Sequence, residues 1–261
     1  MADYEYVHVP VCEDAIKNED TFNSFKRDGK FTTILEHTQD HFSHQFMSQI
    51  IEYYSEYIKK IDWDLVKQND IIGGSYRIDY LELSEFIELN DYKFSPSTVA
   101  YVFKSLDILN HIKKSKLNDI NILEIGAGYG GQCKMIFDMA DLFGIQIKKY
   151  TLVDLYWPNQ LQKKYLNKLG YKNKLNFVPF EDLYDSSQTL PDFDYLISIY
   201  ALGEFNKDIQ QFYIDKMNNL RYYYILWNSV PIHDIFLLSD IENESPRTGP
   251  YNVLIKSKVT E

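Results

Sequence analysis

Residues 121–132, with the sequence NILEIGAGYGGQ, are the stretch that decides the fold. An apolar run at 120–125 precedes the glycines and an amphipathic segment follows them, which predicts a strand, a tight turn and a helix. Gly126, Gly128 and Gly131 have the G-x-G-x-x-G spacing that lets a ligand approach bare backbone near a helix N-terminus. Structural turns also produce this spacing, so its meaning depends on the surrounding elements.

The surrounding sequence alternates between strand and helix patterns. Helices are predicted between short apolar strands at 120–125, 149–153, 175–178, 193–199 and 222–227. Such β-α repeats predict a mostly parallel, Rossmann-like sheet with helices on both faces. At the C-terminus, 234–239 and 251–257 are predicted as an antiparallel pair, because the turn-rich loop between them has no room for a helix.

The segment before this alternation has a helical texture. Apolar residues between 42 and 61 recur every three or four positions, and Ser95-Pro96 is a helix-start signal. We therefore predict two parts: an N-terminal helical cap or lid at 1–94 and the ligand-binding domain at 95–261. The cap is expected over the carboxyl ends of the strands, where open α/β sheets bind ligands.

Composition excludes several classes of protein. The net charge is −11 without a basic cluster, which disfavours bulk nucleic-acid binding. Cys12 and Cys133 have no metal-ligand spacing, which excludes a cysteine zinc site. The chain has no H-x-H spacing and no other metal site is expected, with the convergence of Glu204, His233 and Asp234 in space as the open alternative. The most apolar tract, 222–238, is interrupted by polar residues, so no membrane span is predicted. Since no secretory signal is visible, we expect a cytoplasmic protein. The sequence leaves open whether the chain forms a homodimer.

An acidic residue ends the second predicted strand. Asp154 lies roughly twenty residues beyond the glycine motif, where a carboxylate can accept both ribose hydroxyls of an adenosine. Glu124, just before Gly126, adds a negative charge that is unfavourable beside a dinucleotide pyrophosphate. S-adenosylmethionine carries a sulfonium and an ammonium instead, so Glu124 favours S-adenosylmethionine as the cofactor. The alternative is that Glu124 is a solvated carboxylate at a strand end.

Together these features resemble the class I S-adenosylmethionine-dependent methyltransferases. The segment EIGAGYGG at 124–131 is similar to their first motif and LVDL at 152–155 to their second, and the closing hairpin suits their seven-stranded sheet with an antiparallel last strand. More narrowly, EIGAGYGGQ, LVDLYWPNQLQKKYL (152–166) and ISIYALGEF (197–205) resemble the NanM-like sugar O-methyltransferases. Gly203-Glu204 stands where Ser-Glu is usual, and Tyr156-Trp157 intrudes before Pro158.

The resemblance implies roles for the cofactor-binding residues. Asp154 would hold the ribose, Leu155 would pack on adenine, and Glu181 or Asp182 would accept from the adenine amino group, although a solvated role suits that acidic loop equally. The remaining residues of the implied cofactor site are Glu124, Gly126, Ala127, Gly128, Gln132 and Tyr200. Tyr129, also in the glycine turn, fits packing better than ligand contact.

Two catalytic candidates follow the later strands. Glu204 is the candidate base that takes the acceptor's proton, and its alternative role is to complement a helix dipole. His233 is the second candidate, since histidine titrates near neutral pH, although it also fits an ordinary loop residue. In the cap, Tyr76 and Arg77 are candidates for an acceptor wall or for simple packing.

The sequence therefore predicts an S-adenosylmethionine-dependent O-methyltransferase. Its expected acceptor and partner is a sugar hydroxyl within a nucleotide sugar, a glycan or a glycosylated small molecule, which makes glycan biosynthesis the expected context. The alternatives are methylation of another small molecule or an RNA end, and a catalytically inactive methyltransferase fold that serves as a binding subunit.

Overall fold

The structure, a computed structural model, describes residues 7–34, 36, 38–184, 190–217, 220–229, 236 and 239–259. The N-terminal part is helical apart from one short antiparallel strand pair. Its elements are α1 (Val9–Lys17), α2 (Glu19–Phe22), α3 (Gly29–Ile34), α4 (Asp40–Ile58), α5 (Trp63–Ile71), β1 (Ile78–Asp79) and β2 (Lys93–Phe94).

The α/β part begins at the predicted helix start. Ser95 caps the first helix, because its Oγ accepts from the backbone N–H of Thr98 at 3.1 Å. The elements are α6 (Pro96–Lys114), β3 (Asp119–Ile125), α7 (Gly131–Met139), β4 (Gln146–Asp154), α8 (Tyr156–Lys168), β5 (Leu175–Pro179), α9 (Phe180–Tyr184), β6 (Tyr195–Ile199), α10 (Ala201–Glu204), α11 (Lys207–Lys216), β7 (Tyr223–Trp227), β8 (Asp240–Asn243) and β9 (Val253–Lys256).

Within the described residues, seven strands form one sheet in the order β5-β4-β3-β6-β7-β9-β8. Strands β3 to β7 pair in parallel, whereas β9 is antiparallel to both β7 and β8. This confirms the predicted fold class, the Rossmann-like methyltransferase sheet with an antiparallel last strand. The order changes direction at β3, so the carboxyl ends of β3, β4 and β6 meet at the switch point where such sheets bind ligands.

The strand that pairs with β9 begins just after the range predicted for it. The sequence analysis put this strand at 234–239, most of which lies outside the described residues, and β8 runs from Asp240 to Asn243, with its last two residues in the predicted loop at 242–250. All four residues of β8 are exposed, so this edge strand has no alternation of apolar and polar residues from which to predict it.

The cap packs mainly on the helical layer. Helices α1, α4 and α5 contact α8, α6 and α7, respectively, and one hydrophobic cluster contains buried residues of both parts. The segment around Phe25 and Phe31 reaches the glycine turn after β3, where both rings contact Tyr129. The boundary at 94/95 and the lid role stay predictions.

Candidate cofactor and acceptor site

The glycine turn between β3 and α7 is held in a conformation that favours glycine. Gly126, Gly128 and Gly130 have positive φ angles of 71°, 59° and 94°. The N–H of Gly130 donates to the carbonyl of Ala127 at 2.9 Å, which closes the turn. A Cβ on Gly126 would lie 2.1 Å from Cβ of Ala201. The turn therefore packs directly against the start of α10, and only glycine fits there.

Glu124 is buried behind this turn rather than solvated. Its side chain is 2% exposed, and its Oε2 accepts from Tyr150 Oη at 2.8 Å. Burial raises the pKa of Glu124 to about 7, and the nearby Asp154 adds to the rise. A buried carboxylate of this kind is favourable beside a ligand cation and unfavourable beside a phosphate.

Asp154 holds the glycine turn through its carboxylate. Oδ2 accepts from the backbone N–H of Gly128 at 3.1 Å and from Gln162 Nε2 at 2.8 Å, and Oδ1 accepts from the N–H of Leu155 at 2.8 Å. Burial raises the pKa of Asp154 to about 7, opposed by these hydrogen bonds. Because each carboxylate oxygen has about two acceptor sites, Oδ1 has room for one ribose hydroxyl. Acceptance of both hydroxyls stays a prediction.

Gln162 and Asn159 are site residues that the sequence analysis missed. Both are fully buried. Gln162 donates to the carbonyl of Gly128 at 2.9 Å as well as to Asp154, and its Oε1 accepts from Asn159 Nδ2 at 2.9 Å. The signal that could have identified them is two amides, three positions apart, on the face of the predicted helix that also carries Leu161 and Tyr165.

Gln132, in the first turn of α7, has an unpaired acceptor. Its Nε2 donates to Ser105 Oγ at 2.6 Å and to the carbonyl of Tyr101 at 3.3 Å. Its Oε1 is buried and has no hydrogen-bond partner among the described residues. An unsatisfied buried acceptor costs about 1–3 kcal/mol, so a ligand that brings a donor to this atom gains that free energy.

The predicted adenine contacts lie next to Asp154. Leu155 is half-buried and caps α8, and Glu181 Oε1 accepts from the N–H of Tyr156 at 3.2 Å. Glu181 and Asp182 are both exposed. Glu181 therefore has a capping role that the sequence analysis did not include, and the adenine contacts of all three residues stay predictions.

Tyr200 follows the last residue of β6 and has a strained backbone. Its φ is +67°, a left-handed conformation that is costly for a residue other than glycine. Its hydroxyl donates to Glu244 and accepts from Lys104 Nζ at 3.2 Å. The side chain thus points to α6 and to the segment after β8, and a role in cofactor binding stays a prediction.

Glu204 lies at the end of the short helix whose first residue packs on Gly126. It is exposed at the surface, and Asn228 Nδ2 donates to its Oε1 at 2.7 Å. The surrounding chain still desolvates the carboxylate enough to raise the pKa of Glu204. A Cβ on Gly203 would lie 2.5 Å from Asn228 Oδ1 and 2.9 Å from the backbone nitrogen of Asn228, which is not free to move aside. The serine usual in the resembling family has no room here, and Asn228 is a site residue that the sequence analysis missed.

The structure gives less information on the other acceptor and catalytic candidates, His233, Tyr76 and Arg77. His233 and the neighbouring Asp234 lie outside the described residues. Tyr76 and Arg77 are exposed in the segment that leads into β1. Their roles stay predictions.

The described residues contain neither a metal-ligand cluster nor a membrane span. Among them, no group of three or more His, Cys, Asp or Glu side chains is arranged to hold a metal ion. None of the described helices has the length and apolarity needed to span a membrane.

Comparison with known proteins gives structural neighbours but no sequence family. No family model matches the chain, and no curated protein matches it. A methyltransferase from Aquifex aeolicus shares 14% identity over 62% of this chain and 98% of its own, with a TM-score of 0.38. A methyltransferase from Methanococcus maripaludis shares 12% over 62% and 86%, with a TM-score of 0.42. Mitomycin 7-O-methyltransferase shares 11% over 81% and 70%, with a TM-score of 0.37.

Proposed function

We propose that this protein is an S-adenosylmethionine-dependent O-methyltransferase whose acceptor is a sugar hydroxyl. The observation that carries the proposal is the pair of acceptors around the glycine turn, namely the buried carboxylate of Glu124 and the unpaired Oε1 of Gln132. Both suit a cationic ligand, whereas the pyrophosphate of a dinucleotide would meet the Glu124 charge and bring no donor to Gln132.

The residues present fit S-adenosylmethionine. Gly126 and Gly128 leave the turn without side chains, Glu124 and Gln132 supply acceptors for the ammonium, and Asp154 has an open acceptor position for a ribose hydroxyl. When bound, S-adenosylmethionine supplies an electrophilic methyl group on a sulfonium. Because Asp154 also accepts from Gly128, ribose binding and the shape of the turn are coupled.

Glu204 is the proposed base for the acceptor hydroxyl. Its raised pKa brings it closer to the operating pH and makes it a better proton acceptor. Asn228 orients the carboxylate, and exposure leaves it accessible to an acceptor. The hydroxyl proton would pass to the carboxylate while the hydroxyl oxygen forms the bond to the methyl carbon. The sugar class of the acceptor rests on the three segments that resemble sugar O-methyltransferases.

A calorimetric titration tests the donor. S-adenosylhomocysteine should bind with about micromolar affinity, or about −8 kcal/mol, and NAD should not bind. Binding of NAD without binding of S-adenosylhomocysteine would overturn the proposal.

The acceptor is tested by mass spectrometry for a methyl gain on nucleotide sugars, free glycans and glycosylated small molecules. Tight donor binding without transfer to any of them would favour the inactive binding subunit.

A further inference from the structure

A cavity separate from the glycine turn lies between α4 of the cap and the part of the sheet formed by β7, β8 and β9. It has a volume of 190 Å³ and is lined by residues of α4, α6, β7, β8 and β9, none of which belongs to the glycine turn. That volume equals about six water molecules and is smaller than the roughly 300–1,000 Å³ of pockets for drug-sized ligands. A single small ring fits there, whereas a nucleoside or S-adenosylmethionine does not.

The walls of this cavity are largely aromatic. They include Phe46, Tyr53 and Tyr54 of α4 and Phe103 of α6. Tyr53 is 60% exposed, which places an accessible aromatic face at the opening. The backbone of α4 departs from helical geometry at Tyr54, with φ −130° and ψ 22°. Tyr54 Oη donates to Asp107 at 3.1 Å across the cavity wall.

Three polar side chains lie among the aromatic residues of these walls, namely Asp107, Lys104 and Gln49. Asp107 accepts from Tyr54 and, at 2.9 Å, from Tyr224 Oη. Lys104 is buried, and its Nζ donates to Tyr200. Gln49 donates from Nε2 to Ser245 Oγ at 2.7 Å, while its Oε1 is buried without a hydrogen-bond partner among the described residues. The lining residues therefore include one with an unpaired acceptor, a carboxylate and an ammonium.

The charges around the cavity disfavour an anionic ligand. Glu242 pairs with Lys256 at 3.5 Å. Glu244 is engaged by the hydroxyls of Tyr200 and Thr248. With Asp107 and Lys104, the lining has three carboxylates against two ammonium groups. A neutral ligand whose groups both donate and accept suits these partners, and hydroxyl groups do so.

We infer that this cavity binds a neutral, polyhydroxylated ring of monosaccharide size. Its hydroxyls would donate to Gln49 and Asp107 and accept from Lys104, and its apolar ring face would stack on the aromatic wall. This inference goes beyond the proposed function, since none of the lining residues belongs to the glycine turn; the two are linked through Tyr200, a cofactor-site candidate that hydrogen-bonds to Lys104 and Glu244 of the lining. The sugar has two potential sources, a separate saccharide and the sugar part of the methyl acceptor.

Ligand-observed NMR on the full chain tests the inference. The probes are D-glucose, D-galactose, D-mannose and L-rhamnose, with inorganic phosphate as the anionic comparison. At least one sugar should bind with about millimolar affinity. Gln49→Phe, which fills the cavity and removes the unpaired acceptor, should weaken that binding by about tenfold or more. Gln45→Phe is the matched control, because Gln45 is exposed on the same helix, and it should bind the sugar as the wild type does.

Lys104→Met keeps the length of the side chain and removes the ammonium. It should also weaken the sugar by about tenfold or more, as expected for a lost charge-assisted hydrogen bond. Unchanged S-adenosylhomocysteine affinity in Gln49→Phe would show that the variant is folded and that the two sites are distinct. If no sugar binds, if phosphate binds better than every sugar, or if Gln49→Phe binds sugar normally, the inference is wrong.

The source of the sugar is distinguished by repeating the titration with saturating S-adenosylhomocysteine. A change in sugar affinity would support the cavity and identify the sugar as part of the acceptor. An unchanged affinity would support the cavity as a site for a separate saccharide.

Discussion

Replacing Glu124 with glutamine should make the protein more stable and at the same time weaken its binding of S-adenosylhomocysteine. The carboxylate is 2% exposed and its pKa is raised to about 7, mainly by burial. The negative charge of Glu124 therefore lowers the free energy of unfolding, and it favours only the binding of a cationic ligand. An amide of the same shape keeps an oxygen for the hydrogen bond from Tyr150 and removes the charge.

The magnitude follows from the pKa of Glu124. The native state holds a proton that the unfolded state has released between the ordinary value of 4.5 and about 7. The contribution of this group to the free energy of unfolding therefore falls as the pH rises through that interval. The full cost is about 3 kcal/mol when both states are ionised. Glu124→Gln should raise the free energy of unfolding by about 1 kcal/mol at pH 5 and about 3 kcal/mol at pH 8.

Urea unfolding of the ligand-free chain at pH 5 and pH 8, followed by circular dichroism, measures this difference. Glu56→Gln is the control, because Glu56 is exposed on α4, and its effect should be within about 0.5 kcal/mol at both pH values. Calorimetry should show that Glu124→Gln loses about tenfold or more in affinity for S-adenosylhomocysteine, whose ammonium lacks its counter-charge.

Two results would refute this reasoning. If Glu124→Gln is no more stable than the wild type at pH 8, the buried charge is not costly. If the variant is stabilised but binds S-adenosylhomocysteine normally, the charge is costly but does not serve the ligand, and the preference for a cationic cofactor has no support from Glu124.

Three other substitutions test separate parts of the site. Asp154→Ala should lower the S-adenosylhomocysteine affinity by about tenfold or more. It should also lower the melting temperature, because Gly128 and Gln162 lose their hydrogen-bond acceptor. If the affinity measured by calorimetry is unchanged, Asp154 does not bind the ribose. Glu204→Gln should leave the affinity for S-adenosylmethionine within about threefold and lower kcat by about 10²–10⁴. A variant with near-normal kcat would show that another group is the base. Tyr129→Ala should cost about 3–5 kcal/mol and speed proteolysis of the cap, whereas normal protease resistance would contradict its anchoring role.

The sequence predicted the central part of the fold well. Strands β3, β4, β6 and β7 are apolar runs because helices cover both faces of a parallel sheet, and each lies within a few residues of its predicted position. Strand β8, at Asp240–Asn243, was not predicted, because its residues are all exposed and leave no apolar pattern. The order of the strands was not predicted, since alternation alone does not say which strands are neighbours; the resemblance to a known fold supplied only the number of strands and the antiparallel last strand.

The candidate site was predicted in part, for a definite physical reason. The positive φ angles of Gly126 and Gly128 follow from the local motif. The burial of Glu124 does not, since it depends on Tyr150 of the neighbouring strand, which is far away along the chain. Likewise, the lack of space at Gly203 depends on Asn228 beyond β7. Long-range partners of this kind leave no spacing in the sequence from which to predict them.

The way Tyr129 is held changes how the cap should be understood. This residue of the glycine turn is fully buried. Its hydroxyl hydrogen-bonds to Asn69 of α5, and Lys26 Nζ lies 4.0 Å from the centre of its ring. The cap therefore holds the turn that the cofactor would use, in addition to any role as a lid. Deleting residues 1–94 would remove both contributions together, so loss of transfer in such a truncation would not separate a lid from a scaffold. Substitution of the exposed cap residues Tyr76 and Arg77 leaves the support of Tyr129 in place, and only such changes isolate the acceptor wall.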